Sequence, residues 1–275
     1  MAEGRSKEVK RPDLPGEAKS LSSRIDSTEK KPIAKSDNCV ILFTKSPAPD
    51  QVKTRLVENG FLNAEEAVEI YEAFLSDILE TVGRYAARNR ADLVVSYFPE
   101  DGLDKILEIL KSLRDPVKVA RFDLQEGSSF DQRMNSAFSK VFVAGYQAAV
   151  IIGGDSPTIS EKHIEEAFAL LRDPRHSNLG IIVVGPCSDG GVYLIGLKRD
   201  VPFNFSGVFQ KKDELDISLS MLESRSRELS IQLLRISTLY DVDIPKDMEV
   251  LREELSRNPE LAPHTREVLR RLKGF

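Results

Sequence analysis

The chain has 275 residues, 41% of them hydrophobic and 30% charged, an ordinary globular balance with enough apolar material for one large domain. Lys and Arg number 39 against 44 Asp and Glu, giving a formal net charge of −5, so no global field draws nucleic acid or an anionic membrane and any phosphate has to be held locally. No apolar run reaches the roughly 18 residues that a spanning helix needs, and the well-separated Cys39 and Cys187 suggest no disulfide framework, so the expectation is a cytoplasmic protein without membrane or nucleic-acid partners.

Residues 1–37 are dominated by Lys, Arg, Glu, Asp, Ser and Pro with scattered single aliphatics, which bury too little surface to offset ordering entropy. They read as a disordered tail, and Glu3, Glu8, Asp13 and Glu17 argue against a transit peptide. Residues 38–275 read as the folded domain. Its first element is the apolar run 39–43, a strand buried on both faces. After a proline-containing loop, Asn63 and Glu66 form a capping-box pattern, and Ala67, Ile70, Tyr71, Phe74, Ile78 and Val82 recur at helical spacing. The alternation continues with strands at 93–98, 117–122 and 148–152 and helices at 103–110 and 130–146. Ser160 caps a further helix through 171, strands follow at 180–184 and 192–197, and the remainder reads as helix at 213–225, extended chain at 232–239 and helix at 245–255. Strands separated by helical crossovers predict an α/β fold, a mostly parallel sheet with helices on both faces.

In such sheets ligands collect outside the carboxyl ends of the strands, so the loops after strands carry the chemistry. The loop 44–56 holds Lys45, Lys53, Thr54 and Arg55, cations and a hydroxyl suited to a polyphosphate, although a solvated basic turn would read the same way. Segment 153–157 holds Gly154, which permits close backbone approach, and Asp155, a hard carboxylate suited to Mg²⁺ or Mn²⁺ shared with phosphate; a turn or cap role for Asp155 is the plainer alternative. Segment 185–193 contains Asp189, Gly190 and Gly191, which also suit an ordinary hairpin turn. A cysteine nucleophile at Cys187 finds no support, because His163, His176 and His264 all lie outside the strand-end loops. In segment 240–247, Asp243 suits the cap or N-terminal charge of the helix at Pro245 and a second metal ligand meeting Asp155, roles that do not exclude one another.

Taken together, Lys45-Ser46-Pro47 with Lys53-Thr54-Arg55-Leu56, Glu65-Glu66-Ala67, Gln125-Glu126-Gly127 with Arg133-Met134, Gly154-Asp155-Ser156-Pro157, Gly185-Pro186 with Asp189-Gly190-Gly191, and Asp241-Val242-Asp243 resemble a family of GT-A-fold proteins. That family was first catalogued as a domain of unknown function and is often labelled as arsenosugar-biosynthesis glycosyltransferases; the resemblance covers residues 39–255. A similar Lys-Thr-Arg-Leu loop occurs in the guanylyltransferases of deazaflavin-cofactor biosynthesis and, more loosely, in those of the molybdenum cofactor. The resemblance implies a three-layer α/β/α GT-A domain, nucleotide-diphospho-sugar transferase-like. It implies a nucleotide-sugar or nucleoside-triphosphate substrate and an unknown small-molecule acceptor. Lys45, Lys53, Thr54, Arg55, Arg133 and Gly154 would serve the nucleotide phosphates, Asp155 and Asp243 a Mg²⁺ or Mn²⁺ ion, Gly190 and Gly191 the substrate, and Asp189 the catalytic step. The sequence departs from the family pattern at Asp50, where glycine is usual, at Gly154 for threonine, at Val192 for an aromatic, and at Phe209-Gln210 where tryptophan is typical. The expected function is metal-dependent glycosyl transfer from a nucleotide sugar. The alternatives are nucleotidyl transfer with release of pyrophosphate and non-catalytic nucleotide binding.

Overall fold

The computed structural model describes residues 36–176, 180–212 and 215–273. The expected tail falls, up to Lys35, outside the described residues. Ser36 and Asp37 already belong to the folded unit, because the Asp37 carbonyl accepts the N–H groups of Gln147 at 2.7 Å and Ala148 at 3.2 Å.

The central sheet has seven strands. β1 (Asn38–Lys45) lies between β2 (Ala91–Phe98) and β4 (Ala148–Gly153), with β3 (Arg121–Leu124) outside β2, all parallel. Beyond β4 come β6 (Val192–Lys198), β5 (Ile181–Pro186) and β9 (Gln232–Arg235), with β6 antiparallel to both of its neighbours. β7 (Lys211–Lys212) and β8 (Leu215–Asp216) form a separate small ladder. The order of connection reverses between β1 and β4, which opens a crevice at their carboxyl ends.

Alternate residues of each strand point to opposite faces, and both faces are covered. Val40, Leu42, Val150 and Ile152 pack under α2 (Ala64–Asn89), α5 (Glu161–Arg172), α7 (Pro245–Arg257) and α8 (Pro263–Lys273). Cys39, Ile41, Ala149 and Ile151 pack under α4 (Phe130–Val143) and α6 (Ser218–Glu228). The remaining helices are α1 (Thr54–Glu58) and α3 (Leu103–Ser112).

The capping box forms as expected, with Asn63 Oδ1 accepting from Glu66 N at 2.9 Å and Glu66 Oε2 from Asn63 N at 2.8 Å. Several boundaries differ for identifiable reasons. α2 continues past Gly83, where a side chain would have a Cβ 2.7 Å from Val117 Cγ2; Val117 therefore packs on α2 and the third strand starts at Arg121. α4 stops at Val143 because Gly145 turns the chain at φ 102°. α6 begins at Ser218 rather than 213, its first N–H satisfied by Asp216 Oδ1 at 2.8 Å; residues 213 and 214 lie outside the described residues. α1 and α8 were not expected: the first is five residues long, and the second carries Val268 and Leu269 as its buried anchors in an arginine-rich segment.

Candidate functional site

β1 delivers the loop from Ser46 to Lys53, and this loop makes two left-handed turns at non-glycine residues, Asp50 at φ 59° and Lys53 at φ 49°. The position where the resembled family has glycine thus has a backbone that favours glycine, and Asp is one of the few residues that tolerates it. The second turn leads into α1, and the Lys53 side chain is only 1% exposed. Its ammonium donates to Asp155, lies 3.4 Å from Asp243 Oδ1, and sits 5.4 Å from the ring centres of both Tyr71 and Phe74. Burial alone would push this ammonium down, but the Asp155 and Asp243 carboxylates outweigh it and hold the group above its ordinary value. Burial would likewise raise Asp243; Lys53, with Arg55 and Lys211, holds it below the usual carboxylate value instead.

Asp155 leaves the end of β4 with its side chain on Lys53, and its carbonyl accepts Val242 N at 3.0 Å. Gly154 before it has no room for a side chain: a Cβ there would lie 2.5 Å from the Tyr71 hydroxyl and 3.1 Å from Thr44 Oγ1. Tyr71 and Thr44 share a hydrogen bond of 2.9 Å, so the space that a threonine at 154 needs is already filled. Asp243 is not the cap of α7. The N-cap is Ile244, and Asp247 in the first turn reaches back with its Oδ2 to accept the N–H groups of both Asp243 and Ile244 at 2.9 Å, leaving the Asp243 carboxylate free to face Lys53 and, at 3.8 Å, Arg55. Asp241 is half-buried, accepts the Ser156 hydroxyl and the Cys187 thiol, and is pushed up to about 7 by desolvation and by the neighbouring Asp155 charge. Burial and the same acidic surroundings push the Cys187 thiol up as well, which disfavours the thiolate.

Two cavities meet at this point. The first, about 320 Å³, is lined by Lys45, Lys53, Thr54, Arg55 and Arg133 together with Asp155 and Asp243. The second, about 340 Å³, shares Asp155, Asp243, Phe43, Phe130 and Lys211 with the first and extends over β6 to Val192, Phe209, Gln210 and Asp216. Arg133 stacks over the Phe98 ring at 4.8 Å, and its buried Nε has no hydrogen-bond partner among the described residues, an uncommon state for a buried donor and one that an anion would satisfy.

The structure therefore brings Lys45, Lys53, Thr54, Arg55, Arg133, Asp155 and Asp243 to one cavity, while Gly154 lies behind it against Tyr71. Asp189, Gly190 and Gly191 line neither cavity. Asp189 Oδ1 accepts Gly191 N at 3.0 Å within the β5–β6 turn, and a side chain on Gly190 would collide with the Asp216 carbonyl. These glycines make room for the segment that carries Asp216 into the second cavity. Sequence reasoning passed over Asp216 and Lys211 because each borders an unremarkable segment, and it quoted Asp241 in the family resemblance without giving it a role. It read Tyr71 as core, and Gln125 entered only through the family resemblance. Gln125 is in fact buried, its Nε2 donating to the Thr44 carbonyl at 3.1 Å and the Ser96 carbonyl at 2.9 Å, which ties the ends of β1 and β2 at the cavity floor.

Among the described residues no group of three or more His, Cys, Asp and Glu is arranged to hold a metal ion. The Asp155–Asp243 pair still fits a hard divalent cation: both carboxylates are about two-fifths exposed to the cavity, at 43% and 44%, and the attraction of both for Lys53 shows that the spot demands positive charge. Such ions take one or two carboxylates and complete their shell with phosphate and water.

The strand order, the helices on both faces and the crevice at the ends of β1 and β4 define a GT-A-like fold of the nucleotide-diphospho-sugar transferase type. The family described as "Uncharacterized protein conserved in bacteria (DUF2064)" matches residues 81–211. A solved structure from Desulfovibrio desulfuricans G20, a protein provisionally named a nucleotide-diphospho-sugar transferase, is 29% identical, with 86% of this chain and 95% of that chain covered and a TM-score of 0.69. A cytidylyltransferase from Leptospira borgpetersenii serovar Hardjo-bovis shares the fold at 14% identity, 86% and 94% coverage and a TM-score of 0.51. The 4-diphosphocytidyl-2C-methyl-D-erythritol synthase of Anaerococcus prevotii does so at 11% identity, 80% and 97% coverage and a TM-score of 0.51. No curated protein matches the chain. Among the described residues no helix is long and apolar enough to cross a membrane.

Proposed function

We propose that the protein is a transferase that uses a nucleotide-diphosphate sugar as donor, with Mg²⁺ or Mn²⁺ held by Asp155, Asp243 and the donor's phosphates. One observation carries this reading: a cavity rich in cations opens, at the Asp155–Asp243 pair, into a second cavity with a single cation, Lys211. A donor's diphosphate suits the first and its glycosyl group reaches the second. The similarity to the D. desulfuricans protein supports the same class.

In this account Lys45, Arg55 and Arg133 neutralise and orient the diphosphate, with the unpartnered Arg133 Nε donating to a phosphate oxygen. Lys53 balances the carboxylate pair from below and Thr54 offers a hydroxyl to the same group. The bound cation would supply charge stabilisation to the leaving nucleoside diphosphate. The arsenosugar-type assignment stays a narrower form of this reading, in which the acceptor remains to be identified.

Nucleotidyl transfer is the second reading, favoured by the number of cations around the first cavity, which suits a triphosphate equally well. Product analysis separates the two because different bonds break. Incubation with a panel of nucleotide sugars and Mn²⁺ should release nucleoside diphosphate, slowly by hydrolysis when no acceptor is supplied. Release of pyrophosphate from a nucleoside triphosphate and a phosphorylated acceptor, with no turnover of any nucleotide sugar, would establish nucleotidyl transfer instead.

A further inference from the structure

The walls of the second cavity have a distinct chemistry. Its floor is apolar, with Met134, Ile151 and Leu194, and its mouth is aromatic. Phe130 is 43% exposed there, its ring 4.7 Å from Phe209 and 5.4 Å from Phe43. An exposed aromatic face beside a concave apolar wall suits a ligand that is itself flat and apolar on one side.

The polar groups of the cavity are mostly carboxylates. Asp155 and Asp243 are compensated from the first cavity by Lys53 and Arg55. Asp216 is less tightly compensated: Lys211 stands opposite it in the β7–β8 ladder but forms no ion pair with it, and its Oδ1 accepts the Ser218 N–H at 2.8 Å. That bond orients the carboxylate, and Gly191 leaves open the space beside it, where a Cβ would lie 3.3 Å from Asp216 Oδ2. With Asp241 also in the lining, a phosphate or carboxylate on the ligand would meet one lysine and several acids. Hydroxyl groups would instead donate charge-assisted hydrogen bonds to fixed carboxylate oxygens. Discrimination of this kind comes from repelling the wrong ligand as much as from holding the right one.

We infer that the second cavity is a subsite for an uncharged, polyhydroxylated co-substrate, seated with its C–H face on Phe130 and Phe209 and its hydroxyls on Asp216, and that it rejects phosphorylated analogues. The inference rests on the reading of the first cavity as the diphosphate site. It goes beyond that reading in fixing the charge and shape of what is bound next to it. The transferred glycosyl group and a free acceptor share this chemistry.

The test uses the full chain with diamagnetic Mg²⁺ and inorganic pyrophosphate, which occupies the first cavity without prejudging the base. Saturation-transfer NMR is recorded with glucose, mannose, galactose and myo-inositol, each paired with its phosphate monoester. At least one uncharged member should show saturation transfer while its monoester shows none, and Phe130→Ala and Asp216→Asn should each weaken the binding by about tenfold. Both variants should melt within a degree or two of the parent without ligand, Asn keeping an acceptor for the Ser218 N–H. Repeating the measurement with a nucleotide sugar distinguishes the two sources: displacement of the free sugar marks the donor's glycosyl position, and simultaneous binding marks the acceptor's. Monoesters binding as well as the free compounds, silence from the whole panel, or unchanged binding by both variants would each overturn the inference. Thermal stabilisation by pyrophosphate in the same samples reports on the first cavity separately. Its absence beside intact sugar binding would sink the donor-site reading and leave the carbohydrate subsite standing.

Discussion

Lys53 Nζ lies 3.4 Å from Asp243 Oδ1 while donating to Asp155, so one buried ammonium ties the loop after β1 to the end of β4 and to the segment ahead of α7. Its role is therefore as much structural as substrate-directed. Lys53→Met keeps the stem against Tyr71 and Phe74 but leaves two carboxylates facing each other. Because these are 43% and 44% exposed, water absorbs part of the cost, and a loss of about 1–3 kcal/mol is expected. Arg55 is at the surface, so Arg55→Ala should change stability by less than about 0.5 kcal/mol yet reduce stabilisation by nucleotides. Thermal melts with and without nucleotide check both; equal melting temperatures for the two variants would refute the structural role of Lys53.

The backbone at Asp50 gives a second expectation. At φ 59° a Cβ is strained, and the exposed carboxylate adds negative charge close to the first cavity, the proposed phosphate site. Asp50→Gly removes both, at the cost of greater freedom in the unfolded chain, so stability should stay within about 1 kcal/mol and nucleotide binding should tighten. Asp50→Ala removes the charge but keeps the strained backbone at φ 59°; it should be the less stable of the two by urea denaturation. The opposite ranking would mean that the loop does not hold this turn in solution.

Gly154 and Tyr71 form a complementary pair. Placing threonine at 154 forces atoms against the Tyr71 hydroxyl, and overpacking of this kind costs about 1–3 kcal/mol. Tyr71→Phe should recover part of that loss in the Gly154→Thr background while destabilising the parent by breaking the bond to Thr44. A double-mutant cycle measures the coupling, and additive effects would show that the two side chains do not compete for one space.

Glu80 predicts a pH dependence far from the site. Its Oε1 accepts Arg114 N at 2.7 Å and Asp115 N at 3.3 Å, and His264 Nε2 at the start of α8 lies 2.9 Å away. Burial alone would raise this carboxyl, but the hydrogen bonds from His264 and Arg114 outweigh it and hold it below its ordinary value of 4.5. The folded state thus binds fewer protons than the unfolded state. Its stabilisation is present above that value and is lost as the pH falls through the depressed one. Glu80→Gln should be destabilised at neutral pH, with the gap to the parent narrowing as the pH drops below 4.5. A gap that stays constant in stepped-pH urea denaturation would exclude the charge as its cause.

Much of this architecture was legible because burial and spacing coincide. The strand 39–43 is a continuous apolar run because β1 is covered on both faces, and the helix after Asn63 announces itself by its cap and its period. The cations of the first loop and Asp155 and Asp243 were legible because they follow strands. What stayed hidden depends on contacts between distant segments. Nothing local to Val117 says that it packs on Gly83, and nothing near Asp216 says that Gly190 and Gly191 leave room for it beside the crevice. The Asp-Gly-Gly segment was conspicuous in the sequence, yet the carboxylate facing the second cavity comes from the strand packed against it.

The account stands most directly on the Asp155 carboxylate. Calorimetry of nucleoside diphosphates, each base in turn, with and without Mn²⁺, should show binding that Mn²⁺ strengthens by about tenfold or more in the parent protein. Asp155→Asn should keep its fold with a modest loss of stability, because Lys53 retains Asp243 as a partner, and should lose the Mn²⁺-dependent part of binding. If Mn²⁺ strengthens binding equally in the folded variant, or has no effect on the parent, Asp155 does not hold a cation for a diphosphate and the central claim is wrong.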